Sequence, residues 1–168
     1  MKGQIFGIDI LIAILLFAGV WSTLTAILGD VQTQQDDFDL LSLQVNRISA
    51  QLLSSSGTPT TWTPSTVSQL GLVVQKGVIE KDKLGNFLNV STNLTRTRDL
   101  LGISNSPFYI NVSYVNGTTV YVNSTNYNGT AIVGIDFSST PAVVSKSLAV
   151  YQNNRVFLII KIGGAGNS

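Results

Sequence analysis

The sequence predicts an α+β fold in which a long N-terminal hydrophobic and amphipathic α-helix is followed by a β-rich head. Apolar residues dominate residues 5–28, and an apolar stripe with a seven-residue repeat continues to Leu52. After Pro107 the apolar period changes to two, as in a strand. We therefore expect a helix over residues 4–56, a linker over 57–64, and a head over 65–168 with an antiparallel sheet of at least five strands and one or two short helices.

The composition excludes several classes of function. Only 11% of the residues are charged, against about 25% in soluble globular domains. The net charge is +1 with no run of Lys or Arg, so no nucleic-acid partner is expected. The chain has no Cys and no His, which removes the usual nucleophile, general base and metal ligands. We expect no enzyme, metal site or cofactor, although a pair of carboxylates for glycoside chemistry stays open.

The apolar run predicts a membrane segment. Residues 10–28 contain no charge, and about 20 apolar residues suffice to span a bilayer. Lys2 precedes the run, while acidic residues follow it from Asp30 onward. The positive-inside rule therefore places the N-terminus in the cytoplasm and the head outside.

Helical periodicity continues beyond the membrane segment. A stripe of apolar residues predicts one amphipathic face that continues from the apolar run, formed by Val31, Phe38, Leu41, Val45, Ile48 and Leu52. Gln34 is the one polar member of the stripe. Three serines, Gly57 and Pro59 then predict the end of the helix.

Three interpretations of the N-terminal segment compete. A cleaved secretory signal would need a longer basic leader and a small-residue cleavage site after its apolar core. A plain single-span anchor fits the composition. The third interpretation rests on Lys2, Gly3 and Gln4 directly before the apolar run, because these residues resemble the class III signal peptide of archaeal type IV pilins. The resemblance implies that a prepilin peptidase cuts between Gly3 and Gln4, removes residues 1–3, and leaves the apolar segment on the mature chain.

The same resemblance implies an assembly role for Asp9. Members of that family commonly carry Glu five residues after the cut, where this chain has Ile8 followed by Asp9. Asp9 would pair with the free amine of Gln4 in an adjoining subunit; alternatively, it is an interfacial aspartate near lipid headgroups. Small residues would let helices approach closely, although they also fit ordinary membrane-helix composition: Gly7, Ala13, Ala18 and Gly19.

A looser pattern in the head also resembles archaeal pilin-like surface proteins. It consists of Trp62 with Pro64, Gly71-Leu72, Lys83-Leu84, Asn93-Leu94, residues 98–102 and the strand around Tyr109. Together the two resemblances imply a subunit of an extracellular type IV pilus-like filament, a homopolymer that serves adhesion or surface attachment and depends on pilus assembly machinery. The alternative is a membrane-anchored glycosylated surface protein, or a minor pilin-like component outside the filament body.

Two short helices are predicted in the first part of the head, over residues 80–90 and 92–101. Gly102 follows as a C-terminal cap. Leu84, Phe87 and Leu88 would form the apolar face. Asp82 or Lys83 is expected on the exposed side.

The strand pattern predicts a series of hairpins. Phe108, Ile110, Val112 and Tyr114 share one face of a strand that ends at Asn116-Gly117, a strong hairpin signal. A two-residue turn there would place Tyr121 opposite Val112 and Thr119 opposite Tyr114. Further turns are predicted at Asn128-Gly129, before a strand over 130–137, and at residues 152–154. The last strand is apolar on both faces over 156–160, so it is either covered within the head or meets a neighbouring subunit.

Six N-glycosylation sequons lie in the head, at Asn89, Asn93, Asn111, Asn116, Asn123 and Asn128. Turn and strand composition alone would produce some of them, because Asn, Gly and Thr are common in such segments. Their clustering in a chain with few charges favours a sugar-coated surface, modified by an oligosaccharyltransferase. At least half are expected to carry a glycan.

Overall fold

The computed structural model of the chain describes residues 2–103, 106–138 and 142–164, and the side chains of residues 2–7, 30, 33 and 34 lie outside this description. The chain divides into two units, Met1–Asp37 and Phe38–Ser168. Helices and strands occur together in the second unit, after a long N-terminal helix. The fold class is α+β, which confirms the prediction from the sequence.

Helix α1 occupies Lys2–Ser54, so it ends two residues before the predicted boundary. Its portion in the second unit carries the predicted apolar stripe, in which Leu41, Val45, Ile48 and Leu52 are buried. Phe38 remains 49% exposed, so the buried stripe begins at Leu41. Burial of one face explains why the periodic pattern identified this helix correctly.

Residues 57–64, predicted as a linker, are attached to the core through Trp62, while most of the residues around it are exposed. Trp62 is buried, and its indole Nε1 donates hydrogen bonds to the carbonyls of Ser56 and Gly71, both at 3.1 Å. Thr58 also pairs with Gln69 across an antiparallel bridge. The Thr and Pro composition indicated an open segment, but a single large aromatic residue supplies enough burial to anchor it.

Helices α2 (Lys81–Val90) and α3 (Leu94–Leu101) confirm the two short helices. Gly102 caps α3 with a left-handed φ of 62°, as predicted. At the other end of α3 the side chain of Asn93 accepts a hydrogen bond from the Arg96 amide at 3.0 Å. These caps satisfy backbone groups that the helix itself leaves unpaired.

Of the two residues expected on the exposed side of α2, Asp82 is exposed, whereas Lys83 lies on the buried side. Only 8% of the residue is accessible. Its Nζ donates to the carbonyls of Ser56 at 2.9 Å and Val73 at 3.1 Å, and it lies 3.5 Å from the Glu80 carboxylate. A buried ammonium is tolerated where such acceptors replace water.

The strands form two sheets rather than one. In chain order they are β1 (Val73–Gln75), β2 (Val78–Ile79), β3 (Phe108–Tyr114), β4 (Tyr121–Asn123), β5 (Asn128–Thr130), β6 (Ile132–Gly134), β7 (Ala142–Tyr151) and β8 (Asn154–Gly163). Six of them form a sheet with the order β1-β2-β7-β8-β3-β6, and β4 pairs with β5 alone. The large sheet is mixed, not antiparallel as predicted, because β2 runs parallel to β7. Two-residue strands carry too little periodicity to predict a direction of pairing.

The register after β3 differs by one residue from the prediction. Ser113 pairs with Thr119, and the Tyr114 amide donates to the carbonyl of Thr118 at 2.8 Å. The connection therefore has three residues and includes Gly117 at a φ of 89°, as in hairpins with a glycine bulge. A one-residue shift reverses the two faces. Val120 is consequently buried, whereas Tyr121 is 59% exposed.

Of the other two predicted turns, the one at Asn128-Gly129 is wrong and the one at residues 152–154 is confirmed. Asn128-Gly129 lies inside β5, so the predicted turn is wrong there; the chain reverses over residues 124–127, closed by a hydrogen bond from the Ser124 amide to the Tyr127 carbonyl. The predicted strand over 130–137 is reduced to the three residues of β6. The third turn is confirmed, since Gln152 and Asn153 adopt positive φ between β7 and β8.

Strand β8 lies between β7 and β3, and its two faces have different surroundings. Val156, Leu158, Ile160 and Ile162 point to the core and are buried, while Phe157 and Ile159 on the other face are half-buried. The helical stripe packs on the core side, where Ser49 Oγ and Ser147 Oγ are 2.7 Å apart. The second unit thus has the helical stripe on one face of the large sheet, and on the other face Asp136 and Phe137 contact Lys161 of β8.

Candidate functional site

The first candidate is the apolar part of α1. Ile8–Gly29 is a 22-residue segment with a mean hydropathy of 2.3, and none of it is buried. Its two threonine side chains are satisfied within the helix, because the Thr23 hydroxyl donates to the carbonyl of Val20 and the Thr25 hydroxyl to that of Ser22, both at 2.9 Å. The segment therefore presents an apolar surface of a length that fits a bilayer or a bundle of equivalent helices.

The predicted assembly residues lie along this segment. Asp9, Ala13, Ala18 and Gly19 are exposed, and the space next to the Gly19 Cα contains no atom within 4 Å of where a Cβ would be. A close approach by another helix is sterically open at Gly19. The predicted processing residues Gly3 and Gln4, and Gly7, belong to α1, but their side chains lie outside the described residues.

The second candidate is the set of asparagine sequons, which the structure separates into two groups. Four asparagines are exposed: Asn93, Asn116, Asn123 and Asn128. The side-chain oxygens of Asn93 and Asn116 accept backbone hydrogen bonds from Arg96 and Thr118, each at 3.0 Å. Neither contact uses the side-chain nitrogen to which a glycan is attached, so both nitrogens can be modified without breaking these bonds.

Asn123 and Asn128 are directly opposite each other on β4 and β5. Directly opposite side chains lie on the same face of a strand pair, with Cβ atoms about 5 Å apart. The turn predicted at Asn128 would have separated these two residues. The observed pairing brings two acceptors together on one exposed surface.

Asn89 and Asn111 form the less accessible group. The Asn89 Nδ2 donates to the carbonyl of Asn126 at 2.9 Å, and the residue is half-buried. Asn111 lies in the middle of β3, between β8 and β6, and its Oδ1 is buried without a hydrogen-bond partner in the described structure. A large glycan has less room at these two sites.

An open cleft of about 550 Å³ borders the Trp62 segment. Hydroxyl and charged side chains line it, including Thr60, Thr63, Glu80 and Asp82. Within the described residues no group of three or more His, Cys, Asp or Glu side chains is placed to hold a metal ion. Nearby, burial raises the pKa of the Tyr151 hydroxyl, with smaller contributions from Tyr114 and Asp82.

Two groups of side chains point away from the core, and the sequence analysis identified only part of the second group, on the outer side of the last strand. The outer helix face consists of Asp39, Leu40 and Leu43 on α1, and the outer sheet face consists of Val144, Lys146, Leu148, Phe157 and Ile159 on β7 and β8. Leu40 and Leu43 are apolar residues outside the predicted stripe of α1. This departure from the pattern is the signal in the sequence that could have identified them. No protein-family model matches the chain, and neither a curated protein nor a solved structure matches it.

Proposed function

We propose that the chain is the structural subunit of an archaeal type IV pilus-like surface filament that serves adhesion or surface attachment. The observation that carries the proposal is the uncovered apolar segment Ile8–Gly29. An apolar surface of this size needs lipid or other helices around it. In the membrane lipid covers it, and in the filament equivalent segments of neighbouring copies replace the lipid.

Assembly begins with the N-terminus inside the cytoplasmic membrane and the head outside. A prepilin peptidase removes residues 1–3, and the assembly machinery extracts the processed chain into a helical bundle. Lipid is as apolar as leucine, so close packing rather than escape from water favours the bundle. Ala13, Ala18 and Gly19 permit that packing, and the Asp9 carboxylate pairs with the amine of Gln4 in an adjoining copy.

The sugars belong to the same function. We assign modification to the four exposed sequons at Asn93, Asn116, Asn123 and Asn128, by an oligosaccharyltransferase on the outer side of the membrane. A glycan adds solvation to a chain with only 11% charged residues. A sugar coat on the head therefore helps to keep an extracellular filament soluble.

The second candidate function is a single-span, glycosylated surface protein, or a minor pilin-like component that does not form the filament body. The observation that favours it is the length of Ile8–Gly29, which is sufficient for one bilayer crossing without any polymer. The single-span surface protein differs from the pilin in processing, because an anchored monomer has no need to lose residues 1–3; a minor pilin-like component would lose them as the pilin does.

Mass spectrometry of the N-terminal peptide from cells distinguishes the pilin from the anchored monomer, and electron microscopy of cells that lack the chain tests the filament. A mature chain that begins at Gln4, together with loss of a surface filament in cells that lack the chain, supports the pilin. The variant Gly3→Val should keep its leader and form no filament, whereas Lys2→Arg should be processed and assemble normally. A chain that retains Met1 and remains a monomer in the membrane would contradict the proposal.

A further inference from the structure

The cleft beside the Trp62 segment takes no part in the proposed assembly. Its volume is about 550 Å³, and sites that bind small molecules typically have volumes of roughly 300–1,000 Å³. All of its lining residues lie in residues 56–86, inside the second unit. The cleft therefore forms within one copy of the chain.

Two threonine hydroxyls on the cleft have no partner in the fold. The Thr63 hydroxyl is held by those of Ser65 and Thr66, at 3.1 and 3.0 Å. Thr60 and Thr61 are exposed and also line the cleft, and their hydroxyls make no hydrogen bond with any described residue. Each of these two hydroxyls can donate one hydrogen bond to a ligand and accept others from it.

The beginning of α2 borders the same cleft and adds acceptors and donors. Asp82 is exposed, and its carboxylate has no ion pair or hydrogen bond with another described side chain. The side chain of Glu80, at the N-cap, does not cap the helix. The Leu84 amide donates to the Glu80 carbonyl at 2.9 Å, and the amides before it in the first turn have no partner within the helix. This end of α2 thus offers a carboxylate acceptor and backbone donors together.

The buried polar residues at the base of the cleft are already satisfied. The Lys83 ammonium donates to two carbonyls and lies beside the Glu80 carboxylate. Asn86 donates to the carbonyl of Trp62 at 3.1 Å and accepts from Asn126 at 2.6 Å. Among the residues that line the cleft, no cation is left to pair with an anionic ligand.

The cleft also has an apolar surface. Val74 of β1 lines it and is 64% exposed. Trp62 lines it as well but is only 2% exposed, so a ligand cannot stack on the indole ring. A ligand for this cleft needs a small apolar face, which the C–H side of a sugar ring provides.

The combination of donors and acceptors selects the class of ligand. A cationic amine would bond to Asp82 but leave the backbone donors of α2 unpaired. An anion would be repelled by Asp82. A neutral polyol can pair with both kinds of group, because each of its hydroxyls donates and accepts.

We propose that this cleft binds a neutral sugar unit of a surface polysaccharide. The sugar hydroxyls donate to the Asp82 carboxylate and exchange hydrogen bonds with Thr60 and Thr61, while the ring lies against Val74. The inference rests on the proposed adhesive function and names the class of ligand that this function requires. The cleft is a binding site, and no bond of the sugar is broken there.

Retention on immobilised polysaccharides tests the site. The full-length chain, in a detergent without a sugar headgroup, is applied to beads that carry mannan, galactan or dextran. We expect retention on at least one of the three. Asp82→Asn should weaken binding about ten-fold, as expected for loss of a hydrogen bond to a charged group, and Thr61→Val should weaken it several-fold. Lys81→Met is the matched control, since Lys81 is exposed on α2 but does not line the cleft.

Three results would overturn the proposal. The first is no retention on any of the three polysaccharides by a chain whose circular dichroism shows it to be folded. The second is retention that Asp82→Asn and Thr61→Val leave unchanged. The third is retention on chitosan alone that disappears with added salt, because such binding would come from an amine at Asp82 rather than from neutral hydroxyls.

Counting filaments separates this site from the proposed function. Asp82→Asn and Thr61→Val should form filaments in normal numbers, and these filaments should attach poorly to a surface coated with the retained polysaccharide. Normal filaments from a chain that no polysaccharide retains would remove the sugar site and leave the filament standing. A processed chain that is retained but forms no filament would instead remove the proposed function.

Discussion

The ammonium of Lys83 lies 2.9 Å from the carbonyl oxygen of Ser56, two residues beyond the end of α1. The same ammonium donates to Val73 at the start of β1. A single buried charge on α2 therefore joins the segment that leaves the long helix to the edge of the sheet. This junction holds the helix and the head together within the second unit.

Replacing Lys83 should weaken this junction. Lys83→Met leaves the carbonyls of Ser56 and Val73 without their donor, and we expect a loss of about 2 kcal/mol in the free energy of unfolding. Urea unfolding of the full chain in detergent, followed by circular dichroism, measures it. Lys81→Met on the exposed side of α2 is the control. Equal stability of the two variants would show that the buried ammonium contributes nothing.

Trp62 should behave as a core residue rather than as part of a linker. Trp62→Phe retains much of the apolar burial but removes the donor to Ser56 and Gly71, so we expect a loss of about 2 kcal/mol. Trp21→Phe, an exposed position in the apolar segment, should leave urea unfolding of the second unit unchanged. An unfolding midpoint of Trp62→Phe that matches the unaltered protein would contradict the anchoring role.

Glycan occupancy should follow exposure. Glycopeptide mapping of native protein should find sugar on Asn93, Asn116, Asn123 and Asn128, and little on Asn89 or Asn111. Each exposed site changed to Gln should remove one glycan mass from the intact protein, while Asn89→Gln should leave the mass of the glycans unchanged. The prediction is wrong if the half-buried sites carry as much sugar as the exposed ones.

The ion pair between Asp136 and Lys161 should make stability depend on pH. The hydrogen bond from the Lys161 ammonium, at 2.9 Å, lowers the pKa of Asp136 below its usual value of 3.8. Because the pKa is lower in the folded state, the ion pair stabilises the fold fully at pH values above the unfolded-state pKa. This contribution disappears as the pH falls through the lower, folded-state pKa. Asp136→Asn should thus lower the thermal midpoint slightly at pH 7 and converge with the unaltered protein in acid. Added salt should reduce the difference, because the pair is exposed. A difference that grows on acidification would contradict this sign.

Asp9 should matter for assembly more than for insertion. Under the proposed function, Asp9→Asn removes the charge that pairs with the amine of Gln4, so filament yield should fall while the chain still reaches the membrane. Asp9→Glu should restore assembly at least in part. Electron microscopy counts the filaments, and membrane fractionation measures insertion. Normal filaments from Asp9→Asn would favour the interpretation of Asp9 as an interfacial residue.

The sequence by itself determined the helices and strands that bury one face, because such burial leaves a periodic pattern in neighbouring residues. The stripe from Leu41 to Leu52 predicted the helix, because a single buried face imposes a helical period. Gly102 predicted the end of α3, since the left-handed conformation favours glycine. The alternation from Phe108 to Tyr114 predicted β3 for the same local reason. The 22-residue length of the apolar segment is likewise visible without a structure.

Tertiary structure alone decided the details that depend on distant partners. Three features depend on which strands pair in the folded chain. They are the register of Val120, the position of Asn128 inside a strand and the parallel pairing of β2. Lys83 is buried because carbonyls far away in the sequence surround its ammonium, and Trp62 is anchored by Gly71 in the same way. The outer faces that carry Leu43 and Lys146 exist only because the core uses the opposite sides of their elements. Local periodicity reports which residues share a face, whereas long-range packing decides which face is covered and by what.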